Sequence, residues 1–271
     1  MSCPLKYRFR VVDRLPEKPS AAAVRGTVVH AVLERLFDLP RGQRTLEQAS
    51  ELLEPQWQRI LEEEPEVAEL FAEDASGDEL AKWLAEAHEL LGKYFTLEDP
   101  NLLEPAEREL YVETVLESGL TLRGYVDRLD VAPASGDLRV VDYKTGKAPR
   151  PEYADEPLFQ MKFYALVLWK LRGVVPAMLQ LVYLGNGEIV RYIPDEADLR
   201  ACERKVSALW IAITRALDSG DWRPNPGPLC DWCDHKPLCP AWGGTPPPLP
   251  TRSVEEVAAE SAGIDLITVD G

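Results

Sequence analysis

From Glu107 to Thr145 the chain runs through three short segments rich in valine, leucine and tyrosine, ERELYVETVL, LTLRGYVDRLDV and DLRVVDYKT, parted by the turn sequences SGL and APASGD. Segments of this length with turn residues between them are strands joined by tight turns. The turn around Ser135 fixes how the last two lie, because residues whose numbers sum to about 270 then face each other. Asp127 lands beside Asp142. Side chains alternate along a strand, so Asp142 and Lys144 share one face while Tyr143 takes the other, and by the same parity Asp130 points away from Asp127. The sequence thus predicts one cluster, Asp127, Asp142 and Lys144, with Asp130 outside it.

Around these strands the periodicity becomes helical. Ala21 to Leu39 carries Val28, Val29, Val32, Leu33, Leu36 and Phe37 at the spacing of an amphipathic helix, with His30 inside it. Thr45 to about Thr96 reads as an acidic helical insert interrupted by Pro55 and Pro65. A second amphipathic helix spans Pro157 to Arg172, and strands at Met178 to Leu184 and Ile189 to Tyr192 flank Gly-Asn-Gly, a strong hairpin signal. A helix from about Glu196 to Leu217 leads into a segment rich in proline and cysteine. The fold class is α/β. The expected divisions are 1–44, an N-terminal segment; 45–100, the insert; 101–222, the core; 223–242, the cysteine segment; and 243–271, a loosely ordered tail.

The 271 residues carry a formal charge of −16, which on its face argues against a chain coated in nucleic acid. That average conceals an asymmetry. Residues 47 to 117 hold 21 acidic and 4 basic side chains, leaving 25 acidic and 26 basic elsewhere. A near-neutral body with an acidic appendage keeps nucleic acid possible. No apolar run approaches the roughly 20 residues that span a bilayer, and MSCPLKYRFR lacks a signal peptide's apolar stretch, so a cytoplasmic address is expected.

Two carboxylates at strand-pair separation repel unless a cation lies between them, and hard oxygen ligands suit magnesium or manganese. A lysine beside them is poised over a phosphate or an attacking water. This is chemistry for metal-assisted phosphodiester hydrolysis. His30, one helical turn after Gly26, adds a nitrogen ligand if its helix docks beside the sheet. Read alone, Asp-Tyr-Lys is more often a solvated, salt-bridged strand edge, and a single histidine on such a helix is more often packed or exposed than bound to metal.

Arg25-Gly26-Thr27-Val28-Val29-His30, Gly124-Tyr125-Val126-Asp127-Arg128-Leu129-Asp130, Val141-Asp142-Tyr143-Lys144-Thr145-Gly146 and Gln160-Met161-Lys162-Phe163-Tyr164 follow one another in an order and spacing that resembles RecB-family nucleases of the PD-(D/E)XK superfamily. That group includes the nuclease domains of RecB and AddB and the iron-sulphur nucleases of CRISPR adaptation. The resemblance covers about Cys3 to Pro240. It implies a restriction-endonuclease-like core and metal ligation by His30, Asp127, Asp142 and the carbonyl of Tyr143. Lys144 matches the catalytic lysine. Gln160 and Tyr164, four apart and so on one helix face, match the Gln-x-x-x-Tyr element, which lies near the active site and the DNA strand; Tyr164 is flanked by apolar residues and has a packing role as its alternative.

Cys230-x2-Cys233-x5-Cys239 is compact, and Cys3 lies far upstream. Thiolates favour zinc or iron-sulphur clusters, and Cys230, Cys233, His235 and Cys239 suffice for zinc without Cys3. The resemblance to AddB-type nucleases instead implies a [4Fe-4S] cluster on Cys3, Cys230, Cys233 and Cys239, clasping the N- and C-terminal segments. Cys202 matches nothing and is expected to be a free thiol.

Lys6, Arg8, Arg10 and Arg14, with Arg123, Arg128, Lys147, Arg150 and Lys162, are candidates to track a phosphate backbone, and Tyr7, Phe9 or Trp232 to stack bases. No Gly-x-x-x-x-Gly-Lys-Ser/Thr loop is present, so the chain carries no P-loop motor, and unwinding would fall to a helicase partner. The expected activity is a metal-dependent DNA nuclease, an exonuclease on single-stranded ends in repair or recombination. The alternative is a DNA-end-binding iron-sulphur scaffold subunit of a helicase-nuclease complex.

Overall fold

In the computed structural model the elements run α1 (Pro4–Tyr7), α2 (Ala21–Leu36), α3 (Leu46–Glu51), α4 (Leu53–Glu63), α5 (Asp78–Leu97), β1 (Glu107–Val115), β2 (Thr121–Val131), β3 (Leu138–Lys144), α6 (Asp155–Arg172), β4 (Met178–Tyr183), β5 (Glu188–Tyr192) and α7 (Glu196–Ser219). The structure describes residues 3–74, 76–150, 155–250 and 257. The five strands form one sheet in the order β1-β2-β3-β4-β5, with β2 antiparallel to β3, β3 parallel to β4 and β4 antiparallel to β5. This is a mixed α/β fold. The parallel β3–β4 step needs a crossover, which α6 supplies.

The chain divides into two compact units. The larger holds Pro19–Val112 and Tyr125–Leu199. Ser20 caps α2 by accepting from the Ala23 N–H, and the apolar stripe of α2 (Val28, Val29, Val32, Leu33, Leu36) meets α4, α5 and the Val141/Tyr143 face of β3 in one core. Helices α3 to α5, the expected insert, share that core: Trp57 and Trp83 pack with ring centroids 5.0 Å apart and Phe71 lies edge-on to both. Pro55 does not interrupt a helix. It sits in the first turn of α4, where a missing N–H costs no intrahelical bond.

The smaller unit draws on the described residues of Met1–Lys18, Glu113–Gly124 and Arg200–Thr268. Helix α1 runs on into a π-helical turn, Arg8–Val12, and Leu5, Tyr7, Phe9, Val11 and Val12 bury themselves against Ile213, Trp222 and Val257. Tyr7 and Phe9 are therefore core residues, and of the three expected base-stacking aromatics only Trp232 is exposed. The basic run is similarly committed: Arg8 is buried, ion-paired with Asp13 and donating to the Pro247 carbonyl, and Arg10 pairs with Glu17. Of the expected tail 243–271, residues 251–256 and 258–271 lie outside the described residues, while Leu249 and Val257 join this core.

Candidate active site

The β2–β3 register pairs Arg128 with Val141 and Leu129 with Val140, and one step further along the same register Asp127 stands opposite Asp142. There Oδ2 of Asp127 accepts the Tyr143 N–H at 2.7 Å, so a side chain takes the place of a ladder carbonyl and is fixed at the mouth of the strand pair. From α2, His30 brings Nδ1 to 3.5 Å from the same oxygen. Gly26, one turn before it, faces Thr145, whose Oγ1 would stand 3.4 Å from a Cβ there, an ordinary contact distance.

A residue absent from the sequence reading completes the group. Glu109 on β1, His30 and Asp127 bring one ligand atom each within 4.8 Å of one another. Among the described residues no other three histidine, cysteine or acidic side chains do so. Glu109 also holds a φ of +43°, a region sparsely populated for anything but glycine and costing of order 1–3 kcal/mol. Nothing in ERELY signals that strain, and the acid itself is camouflaged among the 21 of residues 47 to 117.

Asp142 is buried and Lys144 reaches across it, Nζ 3.0 Å from Oδ2 and donating to Oδ1 at 3.3 Å. Nζ also donates to Oε1 of Gln160 at 2.7 Å, and Nε2 of Gln160 donates to the Tyr164 hydroxyl at 3.2 Å. Gln160 and Tyr164 are both buried on α6, so the lysine is held by a fixed amide. Tyr164 packs and hydrogen-bonds at once. Burial first, and Asp127 after it, push Asp142 up to about 6 against the pull of the Lys144 ammonium. Burial and the Asp127 charge push Glu109 up to about 7. Carboxylates crowded this way gain from a cation among them, and at Oδ2 of Asp142 that cation is the Lys144 ammonium, 3.0 Å away. The donor atoms that meet in the His30–Glu109–Asp127 group come from one imidazole and two carboxylates, and the carboxylate oxygens suit magnesium or manganese.

On the opposite face of β2 and β3 lies a polar network the sequence reading did not contain. Arg128, fully buried, donates to the Tyr143 hydroxyl at 2.6 Å, to Glu98 at 2.8 and 3.0 Å and to Asp130 at 3.3 Å. Arg139 holds Asp130 from the other side, and Gln180 donates to Glu98. Asp130 thus sits away from Asp127, tied to two arginines. Arg128 is consequently not a phosphate-tracking residue. Lys162 is ion-paired with Asp198 and lies over the Tyr192 ring, while Lys147 and Arg150 are exposed.

A mixed α/β fold built on a five-stranded sheet, with Asp127, Asp142 and Lys144 on its β2–β3 pair, is consistent with a nuclease core. The chain belongs to the PD-(D/E)XK nuclease superfamily, whose family model matches residues 1–240, and is a nucleic-acid-hydrolysing enzyme. Nucleases of this superfamily work with divalent metals. The chain is 25% identical over 269 residues to the Gene 69 protein of Mycobacterium phage D29, covering 89% of this chain and 93% of that one. It is 23% identical over 277 residues to the Gene 69 protein of Mycobacterium phage L5, covering 89% and 92%. In fold it is similar to a crystal structure titled "Putative exonuclease" from Eubacterium rectale, with a TM-score of 0.54 and 14% identity over 97% of this chain and 88% of that one.

Proposed function

We propose that this nuclease is of the RecB/AddB type, a magnesium- or manganese-dependent exonuclease that hydrolyses single-stranded DNA from its ends in repair or recombination. The observation that carries this is the meeting of His30, Glu109 and Asp127 beside the chain Asp142–Lys144–Gln160–Tyr164. His30, Asp127, Asp142 and the Tyr143 carbonyl are the proposed metal ligands, with Glu109 added to them. A divalent cation held there supplies Lewis-acid polarisation of a phosphoryl oxygen and acidifies water. Lys144, aimed by Asp142 and Gln160, stabilises the negative charge that gathers on the phosphoryl group. Tyr164 fixes the rotamer of Gln160 and through it the ammonium.

Cys3, Cys230, Cys233 and Cys239 are the proposed ligands of a [4Fe-4S] cluster that clasps the N- and C-terminal segments. Cys3 Sγ accepts the Asn225 N–H at 3.4 Å, five residues before Cys230, and Cys230 Sγ accepts the Gly227 N–H at 3.3 Å. Burial raises the Cys233 thiol, and Cys3 and Cys230 lie near enough to raise it further. Gly244 packs so closely on this segment that a Cβ would stand 2.6 Å from the Cys239 nitrogen. His235 Nε2 lies 3.0 Å from Oε1 of Glu17. No helix among the described residues is long and apolar enough to cross a membrane; the proposed setting is the cytoplasm, with a helicase partner supplying unwound ends.

The test digests 5′- and 3′-labelled single-stranded DNA with anaerobically purified protein and magnesium or manganese, beside RNA and blunt duplex of the same sequence. Metal-dependent release of nucleotides from one labelled end supports the proposal. Binding to ends without cleavage moves it to the scaffold reading.

A further inference from the structure

Tyr111 on β1 and Tyr125 on β2 are large aromatic side chains that the mechanism does not use. They are 46% and 57% exposed, with ring centroids 5.3 Å apart and ring planes at 55°. Tyr125 precedes Asp127 by two residues, so strand alternation sets both on one face of the sheet, Cα atoms roughly 6.6 Å apart. Their ring contact puts Tyr111 on that same face, and Tyr111 follows Glu109 by two. The aromatic pair therefore borders two of the three residues in the His30–Glu109–Asp127 group.

A cross-strand aromatic pair stabilises a sheet, which accounts for the contact between the rings. It does not account for both leaving about half their surface to water beside a cluster of carboxylates. That cluster also poses a binding problem. Glu109, Asp127 and Asp142 repel a phosphodiester chain, and of the cations expected to offset them Arg128 is buried and Lys162 is paired with Asp198. An uncharged π-face holds a strand by its bases at no electrostatic cost and without regard to sequence. We infer that Tyr111 and Tyr125 form a stacking shelf for an unpaired nucleobase of the strand whose phosphate occupies the carboxylate site. This rests on the proposed single-strand nuclease activity and names how that activity selects an unpaired strand: a base held in duplex has no face to offer.

The experiment measures steady-state cleavage of a single-stranded oligonucleotide by the full chain and by Tyr125→Thr, Tyr111→Thr and Tyr125→Phe, threonine being chosen because it keeps the strand. The same oligonucleotide with abasic residues over its terminal nucleotides is run beside it. Each threonine variant is expected to lower kcat/KM about tenfold, mostly through KM, as loss of one base-aromatic stack does. Tyr125→Phe retains parental values. Abasic residues cost the parent the same factor and cost Tyr125→Thr nothing further. Parental KM in both threonine variants, or an abasic penalty undiminished in Tyr125→Thr, overturns the shelf while leaving the nuclease standing. A parent that cuts no single strand overturns both. Circular dichroism and melting of each variant separate a lost shelf from a lost fold, and a threonine pair that fails to fold is replaced by Tyr125→Leu, whose expected KM rise is the same.

Discussion

Lys144 is held by two partners of different kinds, an anion and a neutral amide. Asp142 pairs with it, Nζ to Oδ2 at 3.0 Å, whereas Oε1 of Gln160 at 2.7 Å fixes its direction. Gln160→Ala is expected to slow turnover about tenfold with little change in metal affinity, because the ammonium keeps its pairing with Asp142 but loses its aim; metal titration of the rate separates the two effects. Glu109 makes the opposite case. Glu109→Gln should weaken metal affinity by about 10–100-fold, the range seen when groups supporting a metal site are altered, read by isothermal titration with manganese. Glu109→Gly loses the same carboxylate but relieves the positive φ, so it should melt no lower than the parent while binding metal as poorly as the glutamine variant. A melting point well below the parent's would show that the backbone there is unstrained.

At the scale of elements, the strand pair that carries Asp127 and Asp142 is backed by the Glu98–Arg128–Tyr143 network. The Glu98 side chain is 8% exposed and that of Arg128 is fully buried, so removing one charge strands the other. Glu98→Gln is expected to cost about 3 kcal/mol in denaturant unfolding. Burial pushes the Glu98 carboxyl up, but the Arg128 hydrogen bonds and charge, helped by Gln180, outweigh it and leave the group below its ordinary value. A lowered folded value means the stabilisation is present above the unfolded carboxylate range, near 4.3, and is lost as pH falls through the folded value. The gap between parent and Glu98→Gln should therefore hold at neutral pH and shrink on acidification below about pH 4. Much of this framework was legible beforehand. Period-two alternation and the Ser135 turn give the β2–β3 register to within a residue, and Gly-Asn-Gly gives the β4–β5 hairpin. Glu98 was not legible, because it reaches Arg128 from beyond the C-terminus of α5 and no local pattern marks that meeting. Tyr7 and Phe9 misled for a related reason: a run alternating basic and aromatic residues looks like a binding strip, but wound into helical turns it turns its aromatics into the core.

For the whole molecule, the proposed metal ligands His30, Asp127 and Asp142 lie in the larger compact unit and the proposed cluster ligands Cys3, Cys230, Cys233 and Cys239 in the smaller. Cys233→Ser is expected to lose iron and sulphide and to lower the melting temperature of anaerobically purified protein, since a structural metal centre contributes folding energy outright. Cys202, buried on α7, lies outside the proposed ligand set, and Cys202→Ala should keep its full iron content. Equal loss of iron in both variants would contradict the ligand assignment. The account as a whole turns on one comparison: degradation of end-labelled single-stranded DNA, with magnesium or manganese, by the parent and by Lys144→Ala at equal iron content. Cleavage by the parent, with the variant at least about a hundredfold slower, is the expected result. Equal rates would contradict the role of Lys144, and no cleavage by either with iron present would contradict the nuclease itself.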